Sequence, residues 1–303
     1  MVKRLISANP SEISQMTASE LKQSIKASDG RVILSENVVL HEPIVGDITA
    51  TELARAFGAD MILLNGFDMF QPQISGLYGY GSNVVSEHTL EDLQKLVHMP
   101  IGLNLEPVDK AANMTEGRID IPKGRCASVE TFKKASELGF DFVLLTGNPG
   151  VGVTNEAIIK AVSLAKEHFS GLVIAGKMHS AGVDEPVVSI EAIKAFIKAG
   201  ADMILVPAVG TVPGVRDEHI IEVIDYAHKH GVLVISAIGT SQESSDEETI
   251  RQIGLHNKML GVDIQHIGDA NMGLVGIRNI QVLSDAIRGS RHTVSRMARS
   301  VNR

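Results

Sequence analysis

The chain has 303 residues, 44% of them hydrophobic and 21% charged, with a net charge of −8 and a single cysteine, Cys126. That balance suits a soluble globular protein, excludes a basic nucleic-acid-binding body, and leaves no intramolecular disulfide. No apolar run reaches the ~18 residues of a membrane span, and Met1-Val-Lys-Arg-Leu-Ile6 is too short for a signal h-region, so a cytoplasmic protein without membrane or nucleic-acid partners is expected.

Residues 1–30 precede the first strand and form a capping segment. Thr17-Ala-Ser-Glu20 is a capping box, and Leu21 and Ile25 follow at helical spacing, which predicts an extra helix closing the N-terminal end of the fold. The first strand, Val32 to Glu36, ends in a carboxylate. The second opens with Gly58-Ala-Asp-Met-Ile-Leu63. That phrase returns letter for letter as Gly200-Ala-Asp-Met-Ile-Leu205, and more loosely as Gly139-Phe-Asp-Phe-Val-Leu144 and Gly261-Val-Asp-Ile-Gln-His266. Each copy reads as a helix stop followed by a short buried strand. Four other strand candidates, from Arg31, Pro100, Gly171 and Gly231, lie between the copies, and helical patterns separate all eight. Internal repeats of this kind predict one α/β domain, a single (β/α)8 TIM barrel over residues 31–289, with strands starting near 31, 60, 100, 141, 171, 202, 231 and 263. A doubly wound open sheet is the competing reading, but the early glycine-rich dinucleotide turn is missing, and no nicotinamide or flavin motif is present.

Two long segments follow strands two and three. Phe67 to His88 carries Phe70, Tyr78 and Tyr80 among glycines, which suits a lid or a contact between copies of a homo-oligomer. Pro107 to Ala127 carries Lys110, Arg118, Lys123 and Arg125; a solvated charged loop is the plainer reading of each. Strand three ends Asn104-Leu-Glu106, placing two polar groups on one face. After strand four, Thr146-Gly-Asn-Pro-Gly-Val-Gly152 reads either as an anion-binding turn or as an ordinary one. Strand five, read as extending to His179, carries Lys177 and His179 on one face, aimed into the C-terminal mouth. Lys177 is either a catalytic amine or the partner of Glu36 or Glu106 in a structural ion pair.

Gly239, Thr240 and Ser241 after strand seven, with Gly268 and Gly273 after strand eight, stand where phosphate-binding barrels hold phosphate. Asp269 beside them would repel a phosphate unless a cation intervened. Arg288, Arg291, Arg296, Arg299 and Arg303 make residues 290–303 and their approach basic, read as a solvated tail or a docking segment. His168, His219, His228 and His230 fall on helices or their ends and read as surface residues, whereas His179 and His266 end strands.

The runs Gly239-Thr-Ser-Gln-Glu243, Thr249-Ile-Arg-Gln-Ile253, His266-Ile-Gly-Asp-Ala270 and Ile287-Arg-Gly-Ser-Arg-His-Thr-Val-Ser-Arg-Met-Ala298 resemble an uncharacterised bacterial family of TIM-barrel proteins. The resemblance implies the barrel. Some members carry a haloacid-dehalogenase-like hydrolase label, but the Asp-x-Asp nucleophile motif such hydrolases need is absent from this sequence.

Three functions are compatible with these residues. The first is a lyase or isomerase acting on a small phosphorylated metabolite, with Lys177, His179, Glu36, Glu106 and His266 around the reacting end and phosphate on the Gly239 and Gly268 turns. The second is a metal-dependent barrel with Asp269, Glu106 and His266 as ligands, joined by Glu36 and His179, for Mg²⁺, Mn²⁺ or Zn²⁺. The third is a non-catalytic metabolite-binding barrel acting through a partner.

Overall fold

The structure, a computed structural model, describes residues 2–268 and 276–303. Asp269 and Gly273 therefore lie outside the described residues. The strands are β1 Val32–Val38, β2 Met61–Asn65, β3 Ile101–Leu105, β4 Phe142–Leu145, β5 Leu172–Gly176, β6 Met203–Pro207, β7 Leu233–Ile238 and β8 Ile264–Ile267. Each begins one or two residues after its expected start. All neighbours pair in parallel in sequence order, and β8 closes on β1, giving the expected closed barrel. The helices are α1 Pro10–Ile13, α2 Ala18–Lys26, α3 Ala50–Ala56, α4 Thr89–Val97, α5 Val129–Leu138, α6 Asn155–His168, α7 Ile190–Ala199, α8 Asp217–Lys229, α9 Glu247–Leu260 and α10 Arg278–Met297. None of the described helices is long and apolar enough to cross a membrane.

Alternation along the strands separates two cores. Ile33, Ile62, Leu103, Val143, Val173 and Ile204 face the helices. Val32, Leu34, Met61, Phe142, Leu172 and Leu233 point inward. The inward cluster also contains Leu5, Ile6, Ile13, Leu21 and Ile25, so the N-terminal segment plugs the lower end of the barrel, as its capping box and spacing predict. Gly102 leaves room inside for Phe142: a Cβ there would stand 2.2 Å from the ring.

The repeated aspartate has a structural role in every copy. Asp60, Asp141, Asp202 and Asp263 each accept, through Oδ2, the N–H of Ile33, Ile101, Val173 and Val234, at 2.8–2.9 Å. Each returns its own N–H to the carbonyl of that same residue, at 2.8–2.9 Å. The lower ends of β1, β3, β5 and β7 are thus tied to the strand that follows, through groups that are costly to leave unpaired.

The four carboxylates differ in counter-charge. Asp60, fully buried, meets Arg288 at 2.5 Å and Arg296 at 3.3 Å. Asp202 meets Lys166 at 2.9 Å, and Asp263 meets His228 at 2.8 Å. Asp141 forms no ion pair among the described residues, and burial raises its pKa from 3.8 to about 6. The arginines expected in a solvated basic tail are partly interior. Arg288 also donates to the Gly58 carbonyl, Arg296 to the Ala59 carbonyl at 3.0 Å, and Arg299 to Asn9 Oδ1 at 2.5 Å. Helix α10 breaks at Gly289, where φ is +72°, and its second half lies back across the α3–β2 junction.

These differences predict opposite outcomes for one substitution. Asp60→Asn strands two buried guanidinium groups and should cost about 3–5 kcal/mol in denaturant unfolding. Asp141→Asn removes an uncompensated charge and should stabilise by roughly 1 kcal/mol, discounted because the group touches a solvent-filled cleft. A raised carboxyl pKa makes ionisation a cost to the fold. The gain should therefore be complete above about pH 6 and absent below 3.8. Equal effects of the two substitutions would contradict this account.

Candidate active site

Inward alternation carries polar groups to the C-terminal mouth. Leu34 pairs in register with His266. Two residues on, Glu36 shares their face, and Asn65, Asn104 and Glu106 follow by the same parity on β2 and β3. These groups form one connected network. His266, fully buried, hydrogen-bonds through Nε2 to Glu36 Oε2 at 2.9 Å. Asn65 Nδ2 donates to Glu36 Oε1 at 2.6 Å and to Asn148 Oδ1 at 2.8 Å. Asn65 Oδ1 accepts from Asn104 at 3.2 Å and Asn148 at 3.0 Å. Asn148 then presents its backbone N–H to Glu106 Oε2 at 2.7 Å, and Arg125 closes the chain on Glu106 Oε1 at 2.6 Å. The shared bonds hold Glu36, Asn65 and Asn148 in one geometry, while His266 Nδ1, Asn104 Oδ1 and Arg125 Nε have no partner among the described residues.

Above it lies a cavity of about 360 Å³, lined among others by Glu36, Asn65, Asn148, His179, Glu243 and the Gly239–Ser241 turn. The segment from Pro107 to Ala127 is docked over one side. Thr115 N–H donates to the Gly182 carbonyl at 2.9 Å and Ile119 N–H to the Gly150 carbonyl at 2.8 Å. This places Glu116 on the cavity wall. His179 Nδ1 accepts from the Ala181 N–H at 3.0 Å, which puts the proton of the neutral ring on Nε2. Burial lowers the His179 pKa; Glu36 and Glu116 oppose that shift, and Lys177 adds to it. His179 is thus a neutral donor near pH 7.

The expected residues divide as follows. Glu36, His179, Gly239, Thr240, Ser241 and Gly268 line the cavity. His266 lies beneath Glu36. Glu106 sits behind Asn148, its oxygens engaged by Arg125 and a backbone N–H, and not on the cavity wall. Lys177 departs from expectation. Strand β5 ends at Gly176, which packs so tightly on the Leu205 carbonyl that a Cβ would stand 2.0 Å from it. Strand alternation therefore stops before Lys177. Its fully buried amine meets Glu185 at 2.8 Å, and the same Glu185 oxygen accepts the Asn155 N–H opening α6 at 2.9 Å. Lys177 is thus in an ion pair, with Glu185 in place of Glu36 or Glu106.

Among the described residues no three His, Cys, Asp or Glu side chains are grouped to hold a metal. Glu106 and His266 are separated by the Asn65–Asn148 pair, and Asp269 lies outside the described residues. The expected phosphate turn is present at the cavity. However, the Thr240 hydroxyl is spent on the Thr211 carbonyl at 2.6 Å, and the described lining holds Glu36, Glu116 and Glu243 with no Lys or Arg. Asn65, Asn148 and Glu243 were not singled out from the sequence. Their only signal was position, after strands two, four and seven.

The family model described as "Domain of unknown function (DUF7916)" matches residues 6–303, and the chain belongs to that family. No curated protein matches the sequence. Among solved structures the chain is similar to a 2,3-dimethylmalate lyase described as a PEP mutase/isocitrate lyase superfamily member, at 14% identity and TM-score 0.50 over 84% of this chain and 81% of that one. It is also similar to a chain of the BexX/CysO complex from Amycolatopsis orientalis, at 13% identity and TM-score 0.51 over 88% and 92%. A putative lyase/mutase from Burkholderia cenocepacia J2315 is similar at 16% identity and TM-score 0.49 over 82% of each chain. At such identities the likeness is one of fold.

The Lys177 assignment predicts a stability effect. Lys177→Met should cost about 2–3 kcal/mol in denaturant unfolding, because it leaves the Glu185 carboxylate half-buried and unpaired. Adding Glu185→Gln should restore most of that loss. A stable Lys177→Met protein would return the lysine to the list of mouth residues.

Proposed function

We propose that the C-terminal mouth is the active site of a lyase or isomerase that moves protons on a small hydroxylated carbonyl compound. The observation that carries this reading is the buried Glu36–His266 pair, clamped by Asn65, beneath a cavity whose wall presents the neutral Nε2–H of His179. Proton transfer next to a carbonyl needs a fixed acceptor and a donor that stabilises the developing oxyanion, and a neutral imidazole serves as that donor. The cavity volume suits a small metabolite. The amide and hydroxyl groups around it, from Asn148, Ser180 and Ser241, match substrate hydroxyls. The dimethylmalate lyase on the same fold is in keeping with lyase chemistry on this scaffold.

A phosphorylated substrate fits less well. Its dianion would face Glu36, Glu116 and Glu243 without a cation in the described lining. An uncharged sugar or short hydroxyaldehyde meets no such repulsion. The metal-dependent reading needs ligands to regroup, since no described cluster is ready to bind an ion.

Melting curves and a turnover panel test this reading. Uncharged short aldoses and ketoses should raise the melting temperature and be interconverted or cleaved, as followed by NMR. Millimolar inorganic phosphate should do neither. Glu36→Gln should lower kcat/KM by about 100-fold, because it breaks the His266–Glu36–Asn65 clamp that positions the mouth. Tight stabilisation by phosphate alone, or turnover confined to phosphorylated sugars, would overturn the choice of substrate.

A further inference from the structure

The three glutamates on the cavity wall are not equivalent. Glu36 has both oxygens engaged, by His266 and Asn65. Glu116 is exposed, on the docked segment. Glu243 is 8% exposed, and its buried Oε2 has no hydrogen-bond partner among the described residues. A buried carboxylate oxygen left without a partner is unusual in a folded protein and marks a group kept available.

The backbone that presents Glu243 is strained and held from several sides. Thr240 and Ser241, three and two residues before it, both take left-handed conformations, with φ of +57° and +70°. Non-glycine residues adopt that region at a cost, and such strain persists only where the surroundings over-determine it. Here the Thr240 hydroxyl is tied to the Thr211 carbonyl at 2.6 Å. From the start of α10, Asn279 Nδ2 donates to the Glu243 carbonyl at 2.9 Å and the Ser245 carbonyl at 3.0 Å. Two separate chain segments thus fix one short turn, which sets Glu243 on the cavity wall.

We infer that Glu243 is the general base of this mouth, accepting a proton from the carbon beside the carbonyl of an uncharged hydroxycarbonyl substrate, a short aldose or ketose. The assignment rests on the proton-transfer reading of the site. Burial raises the Glu243 pKa, and the negative charge of Glu36 adds to the shift; the N–H groups of Glu243 and Ser241 and the nearby His266 oppose it. A carboxylate with enhanced proton affinity is the better base.

In the step, the substrate C–H bond breaks and its proton passes to the Glu243 carboxylate. The bonding pair forms the carbon–carbon double bond of an enolate, and the carbonyl π pair moves onto oxygen, which accepts a hydrogen bond from His179 Nε2–H. Return of the proton to the same carbon regenerates substrate. Return to the former carbonyl carbon, with the proton of the hydroxyl on the deprotonated carbon passing to the enolate oxygen, gives the isomer. No oxidant, reductant or further co-reactant is consumed.

Deuterium exchange tests the assignment. Dihydroxyacetone, glyceraldehyde and the aldopentoses are incubated with the full chain in D₂O, and label at the carbon beside the carbonyl is followed by NMR. The wild-type chain should exchange at least one of these probes. Glu243→Gln should lose about 100-fold in exchange rate while keeping its melting temperature and its binding of the same probe. Glu243→Asp, which keeps the charge but shortens the reach, should fall between the two and move the acidic limb of the pH–rate profile. It also serves if the Gln variant fails to fold. A folded Glu243→Gln protein exchanging at the wild-type rate would overturn the base assignment and leave the proton-transfer reading in place. Absence of exchange by the wild-type chain with every probe would overturn both.

Discussion

The aspartate at the foot of each even-numbered strand is the constraint on which the rest of the barrel depends. Its carboxylate takes one backbone N–H of the preceding strand while its own N–H takes the matching carbonyl, so the two strands are stapled at one residue pair. A staple at the foot sets the register, and register sets which side chains face inward. Shifting one pair by a residue would turn Glu36, Asn65 or His266 away from the mouth and bring apolar helix-facing groups into it. The polar network at the top is in this sense a consequence of hydrogen bonds made at the bottom.

The charge environment differs sharply between the two ends. At the foot, three of the four carboxylates have cationic or imidazole partners, supplied by Arg288 and Arg296, by Lys166 and by His228. At the mouth the described cavity lining is acidic, and its charges are handled by hydrogen bonding instead. Glu36 shares its two oxygens between an imidazole and an amide, while Glu106 is withdrawn behind Asn148 and neutralised by Arg125. Among the described residues, Glu243 alone of the buried mouth glutamates keeps an oxygen unpartnered.

The C-terminal segment ties both ends to one helix. Asn279, at the start of α10, clamps the turn that carries Glu243. Arg288 and Arg296, further along, neutralise Asp60 at the opposite end of the barrel. A single element thus supports a strained turn at the mouth and the most deeply buried staple at the foot.

The barrel was legible in the sequence because its causes are local. The Gly-x-Asp phrase marks a helix end and a strand start within six residues, and its four copies count out half the strands. Hydrophobic alternation then places Glu36 and His266 at inward strand ends, where the structure joins them. Other features depend on contacts between segments far apart in the chain, to which periodicity is blind. Lys177 has the right spacing for the mouth, but β5 ends at Gly176, before it, and Glu185 pairs with the amine. The arginines after Ile287 have the composition of a solvated tail, yet burial of Asp60 draws two of them inside. Glu243 reads as part of a glycine-hydroxyl turn, and only the tertiary clamp by Thr211 and Asn279 shows that its carboxylate reaches the cavity. The sequence by itself determined the order, number and inward faces of the strands, because those follow from local backbone preference and a period of two. Tertiary structure decided which charged groups are paired and which stay free, because charge pairing is settled by distance and burial in space.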